Sequence, residues 1–194
     1  MTIGIDLNDV LRDYTDNFLK VYLENYNREY DLSGFEMWTN NMPIIFPFKS
    51  DESYKRFVFE DFSFEIFGKC PTSTKSLTTD FANWMSKTLL ELDEEIDVVL
   101  FSPMEYGNSI GYSYFFISKL NAPVRNVVFP KDSSKMWETC DVIITADPYY
   151  LDNKPEGKKT VKIEKDYNKD STADFTFSTF SKFLKDPDNV KKLF

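Results

Sequence analysis

Near the start of the chain, TIGIDLNDVLRDY (residues 2–14) places Asp6, Asn8 and Asp9 where a short strand would deliver them. Carboxylates at the end of a strand can open a phosphoryl-transfer site, one of them attacking phosphorus. Further along, Ser102 follows the apolar run DVVLF (97–101), and Asp147 stands in TADP after the run DVIIT (141–145). Lys131 and Lys135 precede that second run. Carboxylates, a hydroxyl and an amine gathered at one sheet edge could bind Mg²⁺ and a phosphate. Asn8 is discordant, because an amide neither gives nor takes a proton as a general acid or base must. The pattern therefore fits either an enzyme or the shell of one.

The elements around these residues follow from hydrophobic spacing. TIGID (2–6) is a short buried strand. Over 12–30, Tyr14, Phe18, Tyr22 and Tyr26 recur every four residues and predict a helix. NNMPIIFPF (40–48) breaks the pattern at Pro43 and Pro47 and reads as a loop. Helices are expected over 51–67, with Gly68 as the stop, and over 76–92, where Leu77, Phe81, Trp84, Met85 and Leu89 form one stripe. Strands then follow at 97–101, 124–129 and 141–145, with a helix at 109–120. KTVKIE (159–164) alternates as a strand nearer an edge, and a last helix is expected over 174–186. Continuous apolar strands separated by helices predict an α/β fold with a mostly parallel sheet covered on both faces. Such sheets bind ligands beyond the carboxyl ends of their strands, which is where the residues above fall. The division expected is a core of 1–12 and 96–194, with 13–95 inserted as a small helical cap.

Composition narrows the function classes. The chain has 194 residues, enough for one domain with a subdomain, and 42% are hydrophobic, enough for a core. Nineteen Phe and eleven Tyr make that core rich in rings. A net charge of −9 argues against direct nucleic-acid binding, which needs clustered Lys and Arg. The absence of His excludes His-based triads, bases and metal ligands. Cys70 and Cys140 match no metal spacing and read as buried thiols in a reducing, cytoplasmic setting. No signal peptide is visible, and no apolar run reaches the ~18 residues of a membrane span.

The residues and their order resemble the haloacid dehalogenase-like (HAD) superfamily, and within it the 5'(3')-deoxyribonucleotidase group. IGIDLNDVLRD is similar to that group's opening GIDLDGVLRD, and DVIITADPYYLDNKPEGKKTVKI to its later DVLIDDNPEYLEAKPEGKKVIKI. The likeness covers roughly 1–12 and 96–165, while 13–95 matches only in position and helical character. It implies a Rossmann-like HAD core, an Asp6 nucleophile, a phosphate-binding hydroxyl at Ser102 and a charge-neutralising Lys135, with Lys131 as the fallback. It also implies Mg²⁺ held by Asp6, the Asn8 backbone carbonyl and Asp147, the last substituting for the family's acidic pair, and a small phosphorylated ligand.

The departures from the family pattern point the other way. Asn8 replaces the general acid/base Asp, and losing such help costs about 10²–10⁴ in rate. Thr145 and Ala146 replace an acidic pair that holds the metal. Asp9 replaces a Gly, and Asp147 lies one residue beyond the acidic pair. The reading favoured is a HAD-fold protein with impaired catalysis that serves as a binding or assembly module. The alternative is a Mg²⁺-dependent phosphatase or 5′-nucleotidase working through a phospho-Asp6 intermediate. A composition rich in Asn, Lys, Phe, Tyr and Ile fits an AT-rich genome, as of a bacteriophage. A place in the virion or host cytoplasm, beside a protein partner, is then the expectation.

Overall fold

The computed structural model describes residues 1–26, 29, 46–91 and 95–193. Most of the expected NNMPIIFPF loop, and the far ends of the helices expected over 12–30 and 76–92, lie outside these residues. Six strands form one sheet: β1 (Thr2–Asp6), β2 (Asp97–Phe101), β3 (Asn126–Val128), β4 (Val142–Thr145), β5 (Lys159–Ile163) and β6 (Phe175–Phe177). Their order is β3-β2-β1-β4-β5-β6, and every neighbouring pair is parallel. All six carboxyl ends therefore emerge at one edge. The order reverses at β1, which places β1 beside β4 at the point where open sheets bind ligands.

The apolar strand runs sort by the two-residue period of the pleat. Val98 and Leu100 face one cluster with Ile3, Ile5, Val142 and Ile144. Val99 and Phe101 face the other, with Ile143, Met136, Trp137 and Tyr150. Gly4 is required where β1 runs closest to its cover, since a Cβ there would lie 2.7 Å from the Cys140 Sγ. Cys70 and Cys140 are free, buried thiols, and burial pushes both up to about 12.

The segment between β1 and β2 contributes to two separate cores. Helix α1 (Tyr14–Asn25) and helix α2 (Asp51–Arg56), the latter capped by the Ser50 hydroxyl accepting from the Ser53 N–H, lead a ring-rich cluster with Phe18, Tyr22, Phe46, Phe57 and Phe67. The expected helix over 51–67 is broken. After α2 the chain widens into π-turns at Phe57–Asp61 and Phe64–Gly68, closed by bonds from the Phe62 N–H to the Phe57 carbonyl and from the Lys69 N–H to the Phe64 carbonyl. The wider turn lets three consecutive residues, Phe57, Val58 and Phe59, all be buried, which a 3.6-residue stripe does not allow. Helix α3 (Leu77–Asn83), in contrast, packs Leu77, Phe81 and the following Trp84 into the cluster that covers the sheet.

The remaining helices are α4 (Asn108–Ser118), α5 (Met136–Thr139), α6 (Pro148–Asp152), α7 (Phe180–Leu184) and α8 (Asp188–Lys191). The chain differs from its sequence reading at the C-terminal end. The helix expected over 174–186 begins only at Phe180, because Phe175–Phe177 pairs with β5 as an edge strand. Its Phe-Thr-Phe alternation turns both rings toward the core cluster and leaves Thr176 outside. KTVKI is thereby moved one strand in from the edge. Its Lys162 is buried and donates to the Ser171 carbonyl at 2.7 Å.

Candidate functional site

The register of the sheet gathers the sequence candidates. Asp6 pairs with Phe101 and Ile5 with Ile144, so Asp6 and Thr145 leave the sheet at one level and Ser102 one residue further along. Past β1 the chain turns sharply: the Leu7 carbonyl accepts from the Leu11 and Arg12 N–H groups, and the Asp9 N–H donates to the Arg12 carbonyl. Asp9 holds the left-handed conformation at φ 58°, where the resembling family carries Gly. Its carboxylate offsets that cost by accepting from the Thr15 N–H, the Thr15 hydroxyl and the Tyr167 hydroxyl. Asn168 fixes Tyr167 in turn, by donating to the Ala146 and Ile163 carbonyls at the ends of β4 and β5. Both Asp9 carboxylate oxygens are thus engaged.

Asp6 is buried. One carboxylate oxygen accepts from the Asn8 N–H at 3.0 Å, and the other accepts from the Thr145 hydroxyl at 2.9 Å. The Thr145 oxygen accepts from the Asp147 N–H at 2.9 Å, and Asp147 caps α6 by accepting from the Tyr149 N–H at 2.8 Å. Burial raises the Asp6 carboxyl well above the ordinary carboxylate range, and the Asp147 charge raises it further. The hydrogen bonds to Asp6 and the charge of Arg12 oppose this only in part.

The candidate residues that should handle phosphate are held elsewhere. Arg12 is fully buried, with its guanidinium 5.0 Å from the Phe67 ring centroid. It donates from Nε to the Asn8 side-chain oxygen at 2.8 Å, and from Nη2 to the Ser102 hydroxyl at 3.1 Å. Nη2 also forms a 2.5 Å ion pair with Glu105, and Nη1 donates to Ser113, which donates to Glu105 at 2.7 Å. Both Asn8 and Ser102 therefore serve an internal arginine. Lys135 lies exposed on a helical turn and bonds Glu138 at 2.6 Å. Ser133, two residues earlier, lines the pocket over Asp6, and neither Lys135 nor Lys131 does.

That pocket has a volume of about 370 Å³. Its acidic floor carries Asp6 and Asp147, and its walls are rings from the ring-rich cluster and from the loop after β2. Phe59 stacks on Phe67, and Tyr106 closes on Phe59 with ring centroids 4.1 Å apart. Beside Tyr106 on this loop, Met104 is held at φ 63° and is 65% exposed. A strained, exposed, non-glycine residue at a pocket mouth is a mark of a functional edge. The sequence reading missed Arg12, Glu105 and this aromatic wall. The available signal for Arg12 was its place four residues after Asn8, within the opening motif.

The same geometry tests the fit of Mg²⁺. Magnesium is hard and octahedral, keeps several of its waters and takes one or two carboxylates from the protein. Thr145 gives its proton to Asp6 and receives one from Asp147, and no group of three or more Asp, Glu, Cys or His side chains converges among the described residues. Asp6 and Asp147 line this floor, and with the Asn8 backbone carbonyl they are the groups that would hold the ion.

Removing the Asp6 charge is expected to stabilise the chain. A raised carboxyl keeps in the folded state a proton that the unfolded chain has released, so this group costs stability as pH rises above the unfolded value. Asp6→Asn should raise the Tm at pH 7.5 by about 2–4 °C, the shift that ~1 kcal/mol makes in a domain of this size. Well below the ordinary carboxylate value of 3.8, at about pH 2.5, where the unfolded chain also holds the proton, the difference should shrink toward zero. An unchanged or lower Tm at pH 7.5 would show that Asp6 is not charge-strained.

No protein-family model and no curated protein matches the sequence. Solved structures do match the fold. A protein described as a haloacid dehalogenase-like hydrolase from Burkholderia xenovorans LB400 superposes with a TM-score of 0.58 at 11% identity, over 97% of each chain. A haloacid dehalogenase-like family hydrolase from Xanthomonas campestris gives 0.55 at 14% identity, over 100% of this chain and 95% of that one. The six-stranded parallel sheet and its helical layers are the fold of these hydrolases.

Proposed function

We propose that this chain, which has the fold of haloacid dehalogenase-like hydrolases, is a small-molecule binding module that has given up efficient phosphoryl transfer. One observation carries the reading: the buried Arg12 engages the Asn8 amide, which stands at the position of the resembling family's general acid/base, and the Ser102 hydroxyl, which stands at that of its phosphate-binding hydroxyl. The surroundings agree. Asn8 has no proton to exchange, Thr145 stands in place of a metal acid, and burial raises the Asp6 carboxyl, which disfavours its charged, nucleophilic form. Its opening and later motifs support a descent from nucleotidase-like hydrolases, and a composition rich in Asn, Lys, Phe, Tyr and Ile supports a bacteriophage origin, with the module acting beside a protein partner. No described helix is long and apolar enough to cross a membrane.

The second reading is the Mg²⁺-dependent nucleotidase acting through phospho-Asp6. It draws on Asp6 and Asp147 lining one pocket floor, joined through the Thr145 hydroxyl. Millimolar Mg²⁺ with p-nitrophenyl phosphate and a panel of deoxynucleoside monophosphates separates the two. The binding reading expects turnover no greater than that of an Asp6→Asn control, and a Tm shift with Mg²⁺ of less than about 1 °C, since an ion that does not bind the folded chain cannot stabilise it. Turnover well above the control would establish the hydrolase and overturn the module.

A further inference from the structure

We infer that the pocket over Asp6 takes an uncharged, flat ring compound that carries a hydrogen-bond acceptor. The inference rests on the binding reading above and names the chemistry of its ligand. The walls set the preference for a ring. Phe59 is their hub: it meets Tyr106 at a centroid distance of 4.1 Å, Phe67 at 6.0 Å and Tyr54 edge-on at 6.3 Å, and Phe67 in turn meets Tyr14 at 5.8 Å. All five rings line one cavity of about 370 Å³, a volume in the range of small-ligand sites. Walls of this kind gain most from a flat apolar body that stacks on them or packs against their edges.

The same walls carry donors. Tyr14 and Tyr54 are half-buried and Tyr106 stands at the rim, and among the described residues none of the three hydroxyls bonds to another protein group. Burial keeps the inner two protonated, raising Tyr14 and pushing Tyr54 up to about 12. Enclosed tyrosine hydroxyls ordinarily find a partner, so an acceptor atom on the ligand supplies what the chain does not. A net charge on the ligand finds no counterpart. Among the described residues the one lysine or arginine lining the pocket is Lys55, exposed on α2, so an anion meets no enclosed cation. The four carboxylates of the lining, Asp6, Asp9, Glu105 and Asp147, each already accept hydrogen bonds from the chain. A cation would give up its water for groups that are already engaged.

Isothermal titration calorimetry on the full chain, without added metal, tests the inference with bicyclic probes of similar size. 2-Quinolone, neutral and with a carbonyl acceptor, should bind at least tenfold more tightly than quinoline-2-carboxylate or 1-naphthylmethylammonium. Tyr14→Phe and Tyr54→Phe keep each ring and remove its donor. At least one of them should weaken 2-quinolone about fivefold, the worth of one hydrogen bond, while neither changes the binding of indole, which has no acceptor oxygen. Tyr106→Ala, on the rim, should weaken 2-quinolone and indole together. The inference is overturned if either charged probe matches 2-quinolone, if both phenylalanine variants bind it as the parent chain does, or if none of the probes binds. A null result here in a chain that also fails to hydrolyse p-nitrophenyl phosphate would reject the neutral ring ligand alone. Hydrolysis of that ester beyond the Asp6→Asn control would reject the binding-only reading instead.

Discussion

Arg12→Ala is expected to cost about 3–5 kcal/mol of stability, the range found when one partner of a buried ion pair is removed. The Arg12 side chain is wholly out of solvent, and Glu105 is nearly so. Deleting the guanidinium leaves the Glu105 carboxylate buried with only the Ser113 hydroxyl to hold it. It also strips a donor from the Asn8 amide and another from Ser102, and it empties the space beneath the Tyr14, Phe67 and Phe116 rings. At 2–4 °C per kcal/mol for a domain of this size, the Tm should fall by roughly 6–20 °C. Against a total stability of about 5–15 kcal/mol, the variant approaches unfolding. Thermal melts followed by circular dichroism measure it. Removing both charges together, as Arg12→Met with Glu105→Leu, should recover much of the loss, because paired buried charges are replaceable by well-packed apolar groups. If the single variant loses less than about 1 kcal/mol, the network does not hold the loop after β1, and the case for Asn8 and Ser102 as internal ligands weakens with it.

The sheet was legible because its strands are continuous apolar runs bounded by polar residues and too short for helices, as strands covered on both faces are. DVVLF and DVIIT needed no context beyond themselves. The three-residue β6 was not legible, because Phe175, Phe177 and Phe180 can be read on one helical stripe, and only the pairing of Val161 with Phe175 separates the strand from the helix. The π-turns of the insert escaped for a related reason: they shift the period within a run that still looks helical. At the site, one-dimensional spacing placed Asp6 and Asp147 at the correct sheet edge, since position after a strand is a topological fact. It did not place Lys135, whose direction is set by the turn at Ser133–Lys135 and by the nearby Glu138. Nor did it reveal Arg12 as the residue that binds Asn8 and Ser102, because Glu105 and Ser113 lie 93 and 101 residues away in the chain.

The ring-rich cluster of the insert offers a test of whether the pocket wall is an independent unit of stability. Phe18→Ala removes a fully buried ring that meets Phe46 at 5.1 Å, Tyr14 at 6.1 Å and Phe57 at 6.2 Å, and should cost about 3–5 kcal/mol. No residue of that cluster belongs to the clusters lying on the sheet, so the loss has a direction in space as well as a size. Amide exchange should quicken first in α1, α2 and the π-turn at Phe57–Asp61, while β1, β4 and β5 keep their protection. Phe59, Phe67 and Tyr14 line the pocket and pack within or against the same cluster, so ligand binding should weaken along with the local protection. A ring removed from the sheet cluster, as in Phe81→Ala, should instead lower protection in strands and insert together, because the insert closes on a sheet that must already be formed. Equal loss of protection everywhere in Phe18→Ala would mean that the two clusters unfold as one. The aromatic wall could then not loosen around a ligand without opening the whole fold.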